Sequence, residues 1–152
     1  MLLPVYLGML ATAEHSLADS FRQVAAEHGN EPDVLHLCEA LAAQCDQHEK
    51  ALAPAIGRYG ERPDDEPERL HADAVLSSRS GPIGFLRDLQ DVYILASLVD
   101  VTWTVVKQAA LGLRDSELVE IITRCEGQTK VQLDWLSTRM KQAAPQALIV
   151  AR

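Results

Sequence analysis

The sequence has few of the basic and aromatic side chains that nucleic-acid-binding proteins display. Lys and Arg number 14 against 22 Asp and Glu, for a formal net charge of −8, and aromatic residues make up only 5%. No cluster of Lys and Arg is dense enough to follow a phosphate backbone. We therefore expect no nucleic-acid partner, whereas an acidic surface of this kind attracts cations.

Long apolar runs are also missing. No uninterrupted run reaches the length of about 18 residues that indicates a membrane span. The opening "MLLPVYLGMLATA" has no basic residues before its apolar part, contains Pro4 and continues into an amphipathic pattern. It is predicted to begin a helix rather than to be a signal peptide, and no membrane partner is expected.

The three cysteines are an odd number in a chain without a recognisable secretory signal. Reduced thiols in a cytoplasmic protein are the expectation, with the cysteines packing as small apolar residues. The sequence contains no Gly-rich phosphate loop, no Cys-x-x-Cys pair and no His-Glu-x-x-His motif. It therefore indicates no particular enzyme class, and a non-enzymatic role is favoured.

Four segments carry a helical period within one domain, residues 1–152. Short links join the first helix to the second and the third to the fourth, which predicts two antiparallel hairpins. The second connection is long, rich in Pro, Gly and acidic residues, and can cross the whole length of a bundle. The prediction is an all-α four-helix bundle with helices at 3–28, 33–58, 82–113 and 116–143, a crossover at 59–81 and one short helical turn near 71–76.

Glu14 interrupts the apolar row of the first helix. The row recurs every three or four residues, and Glu14 takes the place between Leu10 and Leu17. The first turn is centred near residue 31, so Glu14 and His48 are equally far from it along the chain. We expect the two side chains to lie side by side in the bundle, with Cys45 one turn from His48 on the same face.

The second hairpin has two acidic residues at comparable positions. Asp100 continues the row of Leu86, Leu89, Tyr93, Ala96 and Trp103, and Glu126 continues the row of Val119, Ile122, Thr129 and Leu133. Both would then meet Glu14 and His48 near the middle of the bundle. The alternative has Asp100 and Glu126 facing solvent, with Cys125 pointing inward after a slight rotation of the last helix.

Four long helices, a long second connection, an inward Glu and an inward His resemble the ferritin-like superfamily. The segment "RCEGQTKVQLDWLSTRMKQAAPQAL" (124–148) is also similar to the last helix of small bacterial ferritin-like proteins. The resemblance implies a ferritin-like four-helix bundle with a di-iron site built from Glu and Glu-x-x-His motifs. Here the motifs read "CDQH" at 45–48 and "EGQT" at 126–129, so several ligands are missing.

Two functions are favoured at this point, and an active di-iron oxidase is the least expected because its motifs are incomplete. Glu14, His48, Cys45, Asp100 and Glu126 offer donors for one divalent ion, zinc being favoured over iron by the thiolate. This predicts a degenerate mid-bundle metal site without catalytic activity. Alternatively no metal is bound, Glu14 and His48 form a buried pair, and the bundle is a structural or interaction module.

The third helix is apolar on nearly every side, as in "VYILASLVDVTWTVV" (92–106). Such a helix needs more cover than its two bundle neighbours provide. The connection or a second subunit is the expected cover, and we favour a homodimer with two-fold symmetry. The remaining histidines, His15, His28, His36 and His71, lie near polar positions or helix ends and are expected on the surface.

Overall fold

A computed structural model describes residues 1–60 and 79–151 of the chain. Four long helices account for most of these residues, and each begins and ends within two residues of its predicted bounds. The all-α four-helix bundle is therefore confirmed. The predicted turn at 71–76, His71 and most of the connection lie outside the described residues. The helices are α1 (Leu3–Glu27), α2 (Pro32–Tyr59), α3 (Gly81–Gly112) and α4 (Ser116–Pro145), followed by a π-helical turn, Gln146–Val150.

The two predicted hairpins pack side by side through α1 and α3. Helices α1 and α2 form one closely packed pair, α3 and α4 the other, and the contact between α2 and α4 is the sparsest. Ion pairs fix the direction of α4 against α2. Arg58, at the end of α2, binds Asp115 before α4, whereas Asp33, at the start of α2, binds Arg139 near the end of α4. Helix α2 therefore ends at the opposite end of the bundle from the start of α3.

Each of the two short turns depends on one residue. A Cβ at Gly29 would lie 2.7 Å from the Ala25 carbonyl oxygen, so the α1–α2 turn requires glycine. At the other end Asp115 accepts a hydrogen bond from the Leu118 amide, 3.1 Å away, and so caps α4. Asp115 also accepts from the Tyr59 hydroxyl at 2.7 Å, which ties α2 to the α3–α4 turn.

A buried pair holds the start of α3 against the end of α1. His28 Nε2 lies 2.8 Å from Asp88 Oδ2, and both side chains are almost fully shielded from solvent. The Arg79 amide donates to the same oxygen at 3.0 Å. A Cβ at Gly84 would meet the Arg79 carbonyl carbon at 2.5 Å, so glycine permits this close approach. The expectation of a surface His28 is therefore wrong.

The apolar row predicted for α1 is confirmed, but those of α3 and α4 are rotated. In α3 the buried row centres on Val92, Ala96, Val99, Trp103 and Val106, which leaves Leu86, Tyr93 and Asp100 half-buried. In α4 the buried row is Leu118, Ile122, Cys125, Thr129, Gln132 and Leu136. The alternative in which Cys125 points inward is the one observed.

Helix α3 is the most apolar of the four helices. By length and mean hydropathy it is long and apolar enough to span a membrane, although it contains no uninterrupted run of about 18 apolar residues. Only 39% of its most apolar window is buried within the bundle. Helices in the core of a bundle have the same length and composition. Helix α3 differs from a fully buried core helix because one of its apolar faces is exposed.

Candidate functional site: a mid-bundle polar layer

Glu14 and His48 lie side by side in the centre of the bundle, as the sequence predicts. Glu14 Oε1 is 3.0 Å from His48 Nδ1, and the two side chains are 0% and 2% exposed. A carboxylate buried this deeply requires a partner, because transfer of an unpaired charge from water is very costly. His48 supplies that partner from the neighbouring helix.

The other two helices each add one side chain to this pair. The Trp103 indole N–H donates to Glu14 Oε1 at 3.1 Å, and Gln128 Oε1 lies 2.6 Å from His48 Nε2. The Trp103 ring also meets the His48 ring edge to face, with centroids 6.0 Å apart. Both ring nitrogens of His48 therefore face side-chain oxygen atoms, one of Glu14 and one of Gln128. Every helix thus contributes one residue to a polar layer, defined here as Glu14, His48, Trp103 and Gln128.

The expected convergence of Asp100 and Glu126 on this layer is wrong. Trp103 occupies the α3 side, while Asp100 is half-buried and its shielded Oδ1 has no hydrogen-bond partner in the described part of the chain. Glu126 lies 2.5 Å from Lys107 Nζ across the α3–α4 pair. The rotation of α3 and α4 explains both differences, since it turns Asp100 and Glu126 away from the centre of the bundle and leaves Trp103 and Gln128 facing the pair.

Cys45 lies next to the layer, at the seam between α2 and α4. Its Sγ is 3.9 Å from Gln132 Oε1, and Gln132 in turn donates to Gln44 Oε1 at 2.8 Å. Two glutamines of α4, Gln128 and Gln132, therefore satisfy the polar groups that α2 presents to this sparsely packed seam. Their spacing of four residues places them on one face, which is the sequence signal that could have identified them.

The predicted ligands do not assemble into a metal centre. In residues 1–60 and 79–151 no group of three or more His, Cys, Asp and Glu side chains is placed to hold a metal ion. Both ring nitrogens of His48 already face side-chain oxygens, and the Trp103 indole occupies one side of Glu14. One atom fits a cation, since Glu14 Oε2 is buried and has no hydrogen-bond partner among the residues that the structure describes. A single free oxygen does not match the bridging carboxylates of a di-iron site.

Burial favours the neutral form of all three cysteine thiols. Burial raises the pKa of Cys38 to about 12 and that of Cys125 to about 11. Burial and then the negative charge of Glu14 raise the pKa of Cys45 as well. Thiolates are the reactive and metal-binding form of cysteine, so these groups are poor nucleophiles and poor ligands at neutral pH.

This shift predicts a loss of stability in alkaline solution. The folded-state thiol pKa values exceed the unfolded value of about 8.5, so the unfolded chain releases protons first as the pH rises. We expect each thiol to lower the free energy of unfolding by about 1.4 kcal/mol per pH unit above about pH 9. Urea unfolding of the wild type and of Cys38→Ala in reducing buffer measures the contribution of one thiol.

The Cys38→Ala variant should show a shallower decline between about pH 9 and 11, where the unfolded thiol is ionised and the folded one is not. Equal slopes in the two proteins would contradict the raised pKa of Cys38. The comparison cancels the titration of lysines and tyrosines, because both proteins carry the same set.

The layer thus consists of one carboxylate–imidazole pair, one indole and one half-buried amide. No protein-family model matches this chain, and no curated protein or solved structure matches it. The resemblance to ferritin-like proteins therefore rests on sequence features and stays a prediction. Function has to be inferred from the geometry of the chain itself.

Proposed function

We propose that this chain is a metal-free interaction bundle, in which the polar layer sets helix register and α3 binds a second copy of the chain. The observation that carries the proposal is the apolar face of α3. Ile94, Val101 and Val105 are 68%, 56% and 52% exposed, and half-buried Leu98 lies between them. These four residues, called the α3 row, lie opposite the buried row that faces the core.

The spacing of the α3 row supports packing against another helix. Successive members are four, three and four residues apart, which is the spacing of the seam between two packed helices. A two-fold axis places the row against its own copy, so that each apolar side chain meets another. A second copy can therefore cover the α3 row with its own α3 row, and no other apolar surface is required.

The polar groups beside the α3 row are already satisfied. The hydroxyls of Ser97, Thr102 and Thr104 donate to carbonyl oxygens one turn earlier in their own helix. Removing water from this face therefore leaves no hydroxyl without a partner. Between Asp91 and Lys107 the only charged residue is Asp100, which lies off the row. Dehydration of the face costs little, whereas burial of its apolar side chains is favourable.

The polar layer has a structural role in this proposal. A buried polar group can specify one helix register, because any sliding of the helices leaves that group without its partners. Here four helices share one network, so a displacement of any helix by one turn breaks at least one of its contacts. The layer would thereby hold the α3 row in a fixed geometry for association.

Self-association is tested by light scattering on the purified chain. We expect a mass near twice 16.7 kDa at micromolar concentration. The variant Val101→Glu should be monomeric, because a charge in the centre of the apolar face would have to be buried. Higher salt should strengthen the dimer, since each copy carries a net charge of −8 and the repulsion is screened.

Ala40→Glu is the matched control, because it places the same charge at an exposed position of α2, away from α3. This variant should remain dimeric. A mass near 16.7 kDa for the wild type, or a dimer of Val101→Glu as stable as the wild type, would contradict the proposal.

A further inference from the structure

A cavity of about 490 Å³ lies at the end of the bundle where α1 ends and α3 begins. This volume falls within the range of about 300–1,000 Å³ that is typical of small-molecule sites. Its lining includes Glu27, His28, Asn30, Phe85, Arg139 and Gln142. The cavity is separate from both the polar layer and the α3 row.

Phe85 is the apolar part of the cavity lining, and two side chains pack against its ring. Phe85 is only 7% exposed, with the His28 ring centroid 4.9 Å from its own and the Arg139 guanidinium carbon 5.1 Å from its centroid. Asp88 fixes His28 at 2.8 Å, so the ring has little freedom to turn. A ligand would therefore meet an aromatic wall that is already ordered, which reduces the entropic cost of binding.

The charges around the cavity favour a cation. Arg139 is the positive group, but its Nε donates to Asp33 at 3.0 Å and its Nη2 lies 3.5 Å from Glu31. Two carboxylates therefore already compensate the guanidinium. Glu27 has no ion-pair partner among the described residues and lines the same cavity. The cavity thus carries an excess of negative charge, in a protein that is itself acidic.

The remaining polar lining has unused hydrogen-bonding capacity. Ser80 precedes α3 without capping it, and the side chains of Asn30, Gln142 and Gln146 make no hydrogen bond within the described part of the chain. Groups of this kind face either water or a ligand, and a few convergent polar groups over an apolar wall are typical of a binding site.

We propose that this cavity binds a small organic cation, a primary amine with a flat apolar body. The apolar body packs beside Phe85, the ammonium group pairs with Glu27, and the oxygens of the neighbouring amides and hydroxyl accept hydrogen bonds from its remaining N–H groups. The proposal goes beyond self-association and does not depend on it, because the cavity and the α3 row share no residue.

Three probes that share a phenyl group but differ in charge test whether the cavity prefers a cation. Binding of 2-phenylethylamine, 2-phenylethanol and phenylacetate is measured by calorimetry and by NMR titration at neutral pH. We expect the amine to bind at least about tenfold more tightly than the alcohol, and phenylacetate to bind more weakly still. NMR shifts should concentrate on residues of the cavity.

Glu27→Gln should remove the preference for the amine over the alcohol, while Glu120→Gln, at an exposed position of α4, should leave it unchanged. Phe85→Leu should weaken all three probes together, because it alters the shared apolar wall. Absence of saturable binding of the amine, phenylacetate binding as tightly as the amine, or a Glu27→Gln variant that keeps the full preference would overturn the proposal.

Discussion

Glu14→Ala is expected to lower the free energy of unfolding by about 3–5 kcal/mol, because it leaves two buried hydrogen-bonding groups without their partner. The change deprives both His48 Nδ1 and the Trp103 indole N–H of their acceptor. It also opens a space in a close-packed interior. For a domain whose whole stability is about 5–15 kcal/mol this is a large fraction. Urea unfolding followed by circular dichroism measures the change.

Two variants separate the loss of the pair from the loss of a side chain. Glu14→Gln keeps the shape and an oxygen acceptor, so a smaller loss of about 1–2 kcal/mol is expected. Glu39→Ala removes an exposed glutamate of α2 and should change stability by less than about 0.5 kcal/mol. A loss for Glu14→Ala no greater than that of Glu39→Ala would contradict the role of the pair.

The same variants test the metal-binding function expected from the sequence. If the layer is metal-free, zinc and chelator should leave the unfolding midpoint of the wild type unchanged. Stabilisation by zinc that disappears in Glu14→Gln would instead favour a site at Glu14, through Oε2, which has no hydrogen-bond partner within residues 1–60 and 79–151.

Asp88→Ala is expected to have an effect of similar size, a loss of about 3–5 kcal/mol, at the C-terminal end of α1. Asp88 is fully buried and accepts from His28 Nε2 at 2.8 Å, from the Arg79 amide at 3.0 Å and from the Arg79 guanidinium at 3.4 Å. The alanine variant leaves a buried imidazole and a backbone amide without partners. Thermal and urea unfolding both report the loss, and the melting temperature should fall by about 2–4 °C per kcal/mol.

Asp91→Ala is the matched control for this prediction. Asp91 lies one turn further along the same helix and binds the same arginine at 2.8 Å, but its side chain is 39% exposed. Exposed ion pairs contribute little, so a loss below about 1 kcal/mol is expected. Equal effects of the two substitutions would show that burial of Asp88 does not determine its contribution.

The sequence by itself determined the number of helices, their bounds and the pairing of Glu14 with His48. Strong breakers such as Gly29 and the Pro-rich connection interrupt a clear helical period, so the bounds could be read directly. The pairing followed because a short turn fixes which residues of an antiparallel hairpin lie at the same level. These features depend on local chemistry and on short distances along the chain.

Only the tertiary structure decided how α3 and α4 are rotated about their axes. Helix α3 is apolar on nearly every side, so its sequence permits several inward faces of similar hydrophobicity, and packing against α1 and α4 selects the one that buries Val92 and Val99. That selection turns Asp100 and Glu126 away and brings Gln128 to His48. The pairing of His28 with Asp88 is likewise non-local, since the long connection separates the two residues and no periodicity links them. A helical period states which residues share a face, but the direction in which that face points is settled by the neighbouring helices.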